Sequence, residues 1–368
     1  MKKVLFGITS LGLGGAERVL VDLSNELCQN YDITIFTIYS NGELEKQLSP
    51  NVKIKSLINK KYTDLKKIEK LLKPIEIMLF KKYIYKKYIK EDCDVEIAFL
   101  EGPVTRLLSI PNENVKKIAW IHNDITKVFG KGLKASLKKS IDKNLYEKYS
   151  NLVFVSRDNQ EKFEETYNLD CQKQVIYNYI NIDSVIEKSM AKPDIKFDTN
   201  ITNIVTVSRL VNQKAIDRLI RVHKKLIDEG LKHNIYVIGD GPEKLKLEEL
   251  IKENGVQNTF KLIGAKENPY PYIREADAFA LLSYFEGYPM VLLEAQILKK
   301  YIIITNTAAR ETLQNYSNSL ILENDEDSIF VGLCKYLKMK KDIEKQNNDI
   351  EDYNNSNIIK QVKELIEE

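Results

Sequence analysis

The 368-residue sequence is poor in the residues that build metal and disulfide chemistry. It has four cysteines, Cys28, Cys93, Cys171 and Cys334, with no Cys-x-x-Cys pair, and only three histidines. Such wide spacing excludes a dense disulfide framework and gives no zinc pattern, so reduced thiols are the simplest reading. Three histidines leave little material for a His-based metal centre. No bound metal or cofactor is therefore expected. No apolar run reaches the roughly 18 residues that span a bilayer. The formal net charge is only +3, which argues against a general nucleic-acid binder. Lys2, Lys3 and the apolar run Val4 to Leu13 imitate the start of a signal peptide. An amphipathic stretch follows Gly14-Gly15 instead of a small-residue cleavage site. A cytoplasmic location is expected, with a peripheral position on the inner face of the membrane left open.

The sequence does have enough apolar material for large cores. Hydrophobic residues make up 43% and charged residues 30%, which excludes wholesale disorder, and the length suggests two domains. Short apolar runs alternate with amphipathic stretches. The spacing predicts strands over Val4–Ile8, Asp32–Tyr39, Val95–Leu100, Lys117–Ile121 and Leu152–Val155. Ala16, Leu20, Leu23 and Leu27 recur at three- and four-residue spacing, so a helix follows the first strand. Periodicity is lost between Ile180 and Asn200. A second series predicts strands over Ile204–Ser208, Asn234–Ile238, Phe260–Ile263, Ala278–Leu282 and Ile302–Thr305. Helices are predicted over Ile216–Asp228 and Pro289–Leu298. Two α/β domains with doubly wound parallel sheets follow from this pattern. The boundaries read as 1–185, 186–345 and a tail helix, 346–368, packing back on the first domain. Ligands of such sheets gather at the carboxyl ends of the strands, so the cleft between two facing domains is the expected site.

The most specific signal is Glu286-Gly-Tyr-Pro-Met-Val-Leu-Leu-Glu294. Pro289 suits the first turn of a helix. Glu286 then lies on the loop before it, and Glu294 lies inside a helix that is apolar nearly all round. A buried carboxylate is costly unless something hydrogen-bonds it, and a ribose diol would do so. The helix start offers the free amides of Met290 and Val291 to an anion or a sugar oxygen. Arg209 follows the strand that opens the second half, and Lys214 precedes the next helix. Both cations thus sit where a strand ends beside a helix N-terminus. Gly14 and Gly15 form the first strand-to-helix turn, but match neither GxGxxG nor a phosphate loop with GxxxxGK[ST]. His122 ends a strand and Glu101 follows another. His223 lies on an apolar helix face and reads as packing. Asp240, in Gly-Asp-Gly, reads as a turn former.

The Glu-x7-Glu stretch resembles the signature of the retaining glycosyltransferases of family 4, which have the GT-B fold. Gly12-Leu-Gly-Gly-Ala-Glu-Arg18, Ser208-Arg-Leu-Val-Asn-Gln-Lys214, Ile238-Gly-Asp-Gly-Pro242 and Thr305-Asn-Thr-Ala-Ala-Arg310 are similar to further elements of that family, in its order. The resemblance implies two facing Rossmann-like domains. It implies transfer of a hexosyl residue, with retention, from a nucleotide sugar (UDP by family frequency) to a glycan or lipid-linked saccharide in bacterial surface polysaccharide synthesis. It implies that Arg209 and Lys214 hold the donor diphosphate, that Glu286 binds the transferred sugar and Glu294 the ribose. His122 would touch the sugar, and Gly14 and Gly15 would lie under the donor's phosphates or near the acceptor; Glu101, read from its place after a strand, would with His122 meet an acceptor hydroxyl. One departure is Ala215, where members usually have Gly. No Asp-x-Asp metal site is assigned, which accords with charge neutralisation by Arg209 and Lys214. Two other readings stay open: an epimerase or phosphorylase of the same fold, and a non-catalytic nucleotide-sugar binder.

One segment is strongly basic. Between Lys60 and Lys90, eleven lysines face three acids. Leu71, Leu72, Ile75, Ile77, Leu79, Phe80, Tyr83, Ile84, Tyr85 and Tyr88 are interleaved with them. This mixture suits an interfacial helix on an anionic membrane or a solvated helical insertion. Lys127 to Lys143 could extend it.

Overall fold

The structure, a computed structural model, describes residues 1–90, 93–124, 126, 133–343 and 355–368. The chain divides into two units: Met1–Ile180 with Asn354–Glu368, and Asn181–Tyr353. Residues 127–132 of the second basic stretch, and 346–354 of the tail, lie outside the described residues.

The first unit is built on seven parallel strands: β1 Lys3–Ile8, β2 Asp32–Tyr39, β3 Lys53–Ile58, β4 Val95–Ala98, β5 Lys116–Ile121, β6 Asn151–Phe154 and β7 Gln172–Val175. Their order is β3-β2-β1-β4-β5-β6-β7. Between β1 and β4 the order reverses, which opens a crevice at the strands' carboxyl ends. Phe6, Phe36, Phe99, Trp120 and Phe154 fill the layers on either side of the sheet and are fully buried or nearly so. The second unit repeats the scheme with six strands: β8 Thr202–Val207, β9 His233–Ile238, β10 Phe260–Leu262, β11 Ala278–Leu281, β12 Tyr301–Thr305 and β13 Ser319–Leu322. Their order is β10-β9-β8-β11-β12-β13, so its switch point lies between β8 and β11.

Each expected strand is present within two residues at either end. Three others, β3, β7 and β13, were not expected. All three are edge strands. An edge strand is solvated on one side, so it needs no continuous apolar run. The β7 sequence Gln-Lys-Gln-Val carries no such run and has no fully buried residue. The segment read as aperiodic holds the helix Ile182–Ser189, whose start is capped by Asn181 Oδ1 accepting from the Ser184 amide at 2.9 Å.

The helix Asn355–Glu367 belongs to the first unit, where it buries Ile358, Val362, Leu365 and Ile366. Lys2 donates to the carbonyls of Ile366 and Glu367 at 3.0 and 2.9 Å, and Lys116 to that of Leu365 at 2.8 Å. Two ammonium groups thus satisfy carbonyls that a helix C-terminus leaves open, at its negative end.

In the second unit His223 and His233 form a buried chain. His233 Nδ1 lies 2.8 Å from the Leu231 carbonyl, His233 Nε2 2.8 Å from His223 Nδ1, and His223 Nε2 2.9 Å from Thr259 Oγ1. A carbonyl can only accept, so His233 carries its proton on Nδ1, His223 donates, and the Thr259 hydroxyl closes the chain. Both rings are neutral. Burial pushes the His223 pKa down to about 3 and lowers that of His233. A folded pKa below the unfolded ~6.5 means that the unfolded chain binds protons first on acidification. Stability is therefore full above pH 6.5 and falls from there towards pH 3. His223 alone removes about 2 kcal/mol by pH 5, and His233 acts in the same direction. Urea melts at pH 7.5 and 5.0 should show this loss; equal midpoints would refute the neutral chain.

Candidate active site

In the second unit the expected residues gather at the carboxyl ends of β8 and β11. After β8 the chain passes Ser208 and Arg209 and makes a turn over Asn212–Lys214. Ala215 follows at φ 50°, ψ 37°, and the helix Ile216–Asp228 begins. That left-handed backbone is where glycine is free and a Cβ costs about 1 kcal/mol or more. The departure noted at 215 thus falls on a position with a physical demand for glycine, and alanine there is strained.

Lys214 meets Glu286 across this gap. Its Nζ lies 2.5 Å from Glu286 Oε1, with the two side chains only 14% and 7% exposed. The loops are stitched together around the pair. The Tyr284 amide donates to the Gln213 carbonyl, and Gln213 Nε2 to the Phe285 carbonyl, each at 2.9 Å. Arg218, buried one turn after Lys214, donates to the Leu282 carbonyl at 2.6 Å and to Asn324 Oδ1 at 2.9 Å. Its guanidinium lies 4.6 Å from the Tyr284 ring centroid. Arg218 thereby holds the loop that delivers Glu286. Nothing in the sequence pointed to it, because its partners lie more than sixty residues away.

Arg209 stands on the same loop as Lys214 and is exposed. Its position depends on two glycines. The Leu210 amide donates to the Asp240 carbonyl at 2.9 Å, so the Gly-Asp-Gly turn lies directly on the Arg209 loop. Gly239, at φ 152°, has no room for a Cβ, which would run into the Ser208 carbonyl oxygen; a Cβ on Gly241 would meet Leu210. Asp240 Oδ1 accepts from the Gly241 amide at 2.7 Å, as a turn former does.

Glu294 lies in the helix Met290–Ile297, whose Met290, Leu292, Leu293 and Ala295 are buried with it. Tyr270 donates to Glu294 Oε1 at 3.1 Å. Met290 and Val291 open this helix, so their amides are among those that no intrahelical carbonyl satisfies. Two hydroxyls at neighbouring strand ends, Ser208 Oγ and Ser283 Oγ, are buried with no hydrogen-bond partner among the described residues.

The first unit places the remaining residues. Gly14 is the extended N-cap and Gly15 the first residue of the helix Gly15–Leu27, with no side-chain cap. His122 leaves β5 with its ring centroid 5.0 Å from that of Phe99. Burial lowers its pKa to about 3, opposed by a hydrogen bond to the Phe99 backbone, so the imidazole is neutral. Its Nε2 is buried and has no partner among the described residues. Glu101 accepts from the amides of His122 and Asn123 at 2.8 and 2.7 Å and from Asn123 Nδ2 at 2.9 Å. The sequence placed Glu101 near an acceptor; in the fold its carboxylate engages the His122 loop.

Two tripeptides, Asp92-Cys93-Asp94 and Asp325-Glu326-Asp327, fit Asp-x-Asp in letters. Asp92 lies outside the described residues, and Asp94 accepts from the Lys3 amide at 2.7 Å. Asp325 accepts from the Ser328 amide at 2.8 Å at a helix start, and Glu326 pairs with Arg221 and Lys225 at 3.0 Å each. Asp94, Asp325 and Glu326 are thus engaged in local structure. Among the described residues no group of three or more His, Cys, Asp or Glu could hold a metal.

The basic segment forms the helices Lys67–Leu79 and Lys81–Tyr88. Ile77, Ile84 and Tyr85 face inward. Ile68, Leu71, Leu72, Ile75 and Leu79 are exposed at helical spacing, Leu71 by 67% and Leu79 by 69%, with Phe80 and Tyr83 beyond them. Among the described residues no helix is long and apolar enough to cross a membrane.

Comparison with known proteins identifies the two domains and the fold. Residues 13–184 match the model of Glycosyltransferase Family 4, and residues 187–355 that of Glycosyl transferases group 1. The chain is 28% identical, over 93% of its length and 92% of the relative's, to the N-acetylgalactosamine-N,N'-diacetylbacillosaminyl-diphospho-undecaprenol 4-alpha-N-acetylgalactosaminyltransferase of Campylobacter jejuni. It is 25% identical to the capsular polysaccharide biosynthesis glycosyltransferase CapH of Staphylococcus aureus, over 96% of each chain. Among solved structures, Anabaena HepE in complex with UDP and glucose superposes with a TM-score of 0.76 at 16% identity, covering 100% of both chains.

Proposed function

Because the chain belongs to the family 4 glycosyltransferases, with a group 1 glycosyl transferase domain as its second half, we propose that it moves a hexosyl residue from a UDP-sugar to a saccharide or lipid-linked acceptor, with retention, in bacterial surface polysaccharide synthesis. The observation that carries this reading is the Lys214–Glu286 pair at the strand ends. A diphosphate leaving group gains charge in the transition state, and a preorganised cation stabilises it there. An ammonium has three donors. One meets Glu286, which leaves two for phosphate oxygens, and Arg209 adds a second cation. The second Glu286 oxygen can accept from a sugar hydroxyl. Glu294 is already buried and bonded on one oxygen, so it suits a ribose diol. The unpartnered Nε2 of neutral His122 suits a hydroxyl of the transferred sugar. No protein nucleophile is assigned, since both glutamates serve as binders.

The acceptor class draws support from relatives whose names specify undecaprenol-linked sugars and capsule. A peripheral position on an anionic membrane draws support from the outward apolar stripe of Lys67–Leu79. A merely solvated helix would bury its aliphatic side chains, whereas this one leaves Ile68, Leu71, Leu72, Ile75 and Leu79 exposed and buries Ile77.

A panel of nucleotides and nucleotide sugars tests the donor class by thermal shift. A ligand at 100 times its dissociation constant stabilises by about 2.7 kcal/mol. UDP and one UDP-sugar are expected to raise the melting temperature above GDP and ADP. A melting curve that none of them moves would sink the donor reading.

A further inference from the structure

The strand β5 ends at Ile121, and the next two amides, of His122 and Asn123, have no ladder partner. Amides that a strand end leaves without a ladder partner are satisfied by another acceptor or by solvent. Both are taken by one carboxylate oxygen of Glu101, while the other oxygen holds the Asn123 side-chain amide. Glu101 thus extends the β4 side of the sheet past Ala98 with a side chain instead of a backbone. Its own backbone is fixed on either side. Thr105 Oγ1 donates to the Leu100 carbonyl at 2.9 Å, and Gly102 turns the chain at φ 117°, ψ −133°, a conformation open to glycine. The other end of the His122 peptide group is held from the helix Arg157–Thr166, whose buried Asn159 donates from Nδ2 to the His122 carbonyl at 3.2 Å. His122 is therefore clamped at both its N–H and its C=O by side chains of two different elements. The imidazole Nε2 is the part of the residue that the clamp leaves open.

We propose that Glu101 is a positioning residue that sets the His122 imidazole against the transferred sugar, and not a contact to the acceptor. This rests on the reading of His122 as a sugar contact. The carboxylate matters because both of its oxygens accept: one takes the two backbone amides and the other the Asn123 side chain. An amide at position 101 would replace one of the acceptor oxygens by a donor facing an N–H.

The test is a double-mutant cycle on the full chain with Glu101→Gln, His122→Ala and the pair, reading turnover and donor KM. Misplacing a reactive contact by an ångström or less costs on the order of ten- to a hundredfold. Glu101→Gln is expected to lower kcat about tenfold with donor KM and melting temperature nearly unchanged. In the His122→Ala background it should cost less than about twofold, because there is no imidazole left to place. An equal loss in both backgrounds would overturn the proposal and mark Glu101 as a direct contact. An unchanged kcat for Glu101→Gln would overturn it too. Hydrogen exchange separates this from failure of the sugar reading. The 121–123 amides should exchange faster in Glu101→Gln, whatever the activity. If His122→Ala keeps full activity while that exchange still changes, the sugar contact is lost and the clamp stands. Should Glu101→Gln fail to fold, Asn123→Ala removes one of the three bonds, and the same cycle with His122→Ala applies.

Discussion

Lys214→Ala is expected to lower the turnover number by about 10²–10³-fold, the range seen when one preorganised donor to developing charge is removed, or roughly 3–4 kcal/mol. The argument runs through geometry. Lys214 is held by its 2.5 Å contact with Glu286, and the Glu286 loop is fixed by Gln213 and Arg218. The cation therefore needs little reorganisation when the diphosphate arrives. Its loss should also weaken UDP binding, since the same charge meets the ground-state diphosphate. Glu286→Gln separates the two roles. It keeps shape and burial but loses the carboxylate, so UDP affinity should change by a few-fold while kcat falls steeply. Neither variant should unfold the protein, because the pair sits on loops past the strand ends and the hydrophobic core of the sheet is untouched. Steady-state kinetics with calorimetric UDP titration decides the matter. Wild-type turnover in both variants would remove the pair from the chemistry.

Replacing Leu71, Leu72 and Ile75 together by serine is expected to reduce binding to anionic vesicles about a hundredfold. Three aliphatic side chains inserted part-way into an interface supply about 1 kcal/mol each, and ~1.4 kcal/mol is tenfold. The three are 67%, 53% and 47% exposed, so the substitution removes little of the folded core. The surrounding lysines add attraction that depends on charge and is screened by salt. Binding of the wild type should thus be stronger on phosphatidylserine vesicles than on phosphatidylcholine, and should weaken between 50 and 300 mM salt. Co-sedimentation measures both. A wild type that stays in the supernatant with anionic vesicles at low salt would show the stripe to have another purpose.

The sequence made much of this legible, for reasons of period and spacing. Central strands such as β1, β11 and β12 are buried on both faces, so they are apolar runs. Glu286 and Glu294 could be placed on a loop and inside a helix because Pro289 marks the start of that helix. The demand at Ala215 could be noted from resemblance, but its cause, a left-handed backbone before a helix, needed the fold. His223 was readable as packing, while its hydrogen-bonded chain to His233 was not.

What the sequence alone determined was local: the alternation of strand and helix, the central strands, the helix start after Pro289 and the side chains at strand ends. What only the tertiary structure decided was non-local. It joined Lys214 to Glu286 across 72 residues and Glu101 to the His122 loop across 21, and it tied Arg218 to the loop that carries Glu286. It also turned Leu71 and Leu72 outward, which periodicity cannot tell, since a helical stripe has the same spacing whichever way it faces. Periodicity reflects geometry along one element, whereas pairing and exposure depend on which elements the sheet order brings side by side.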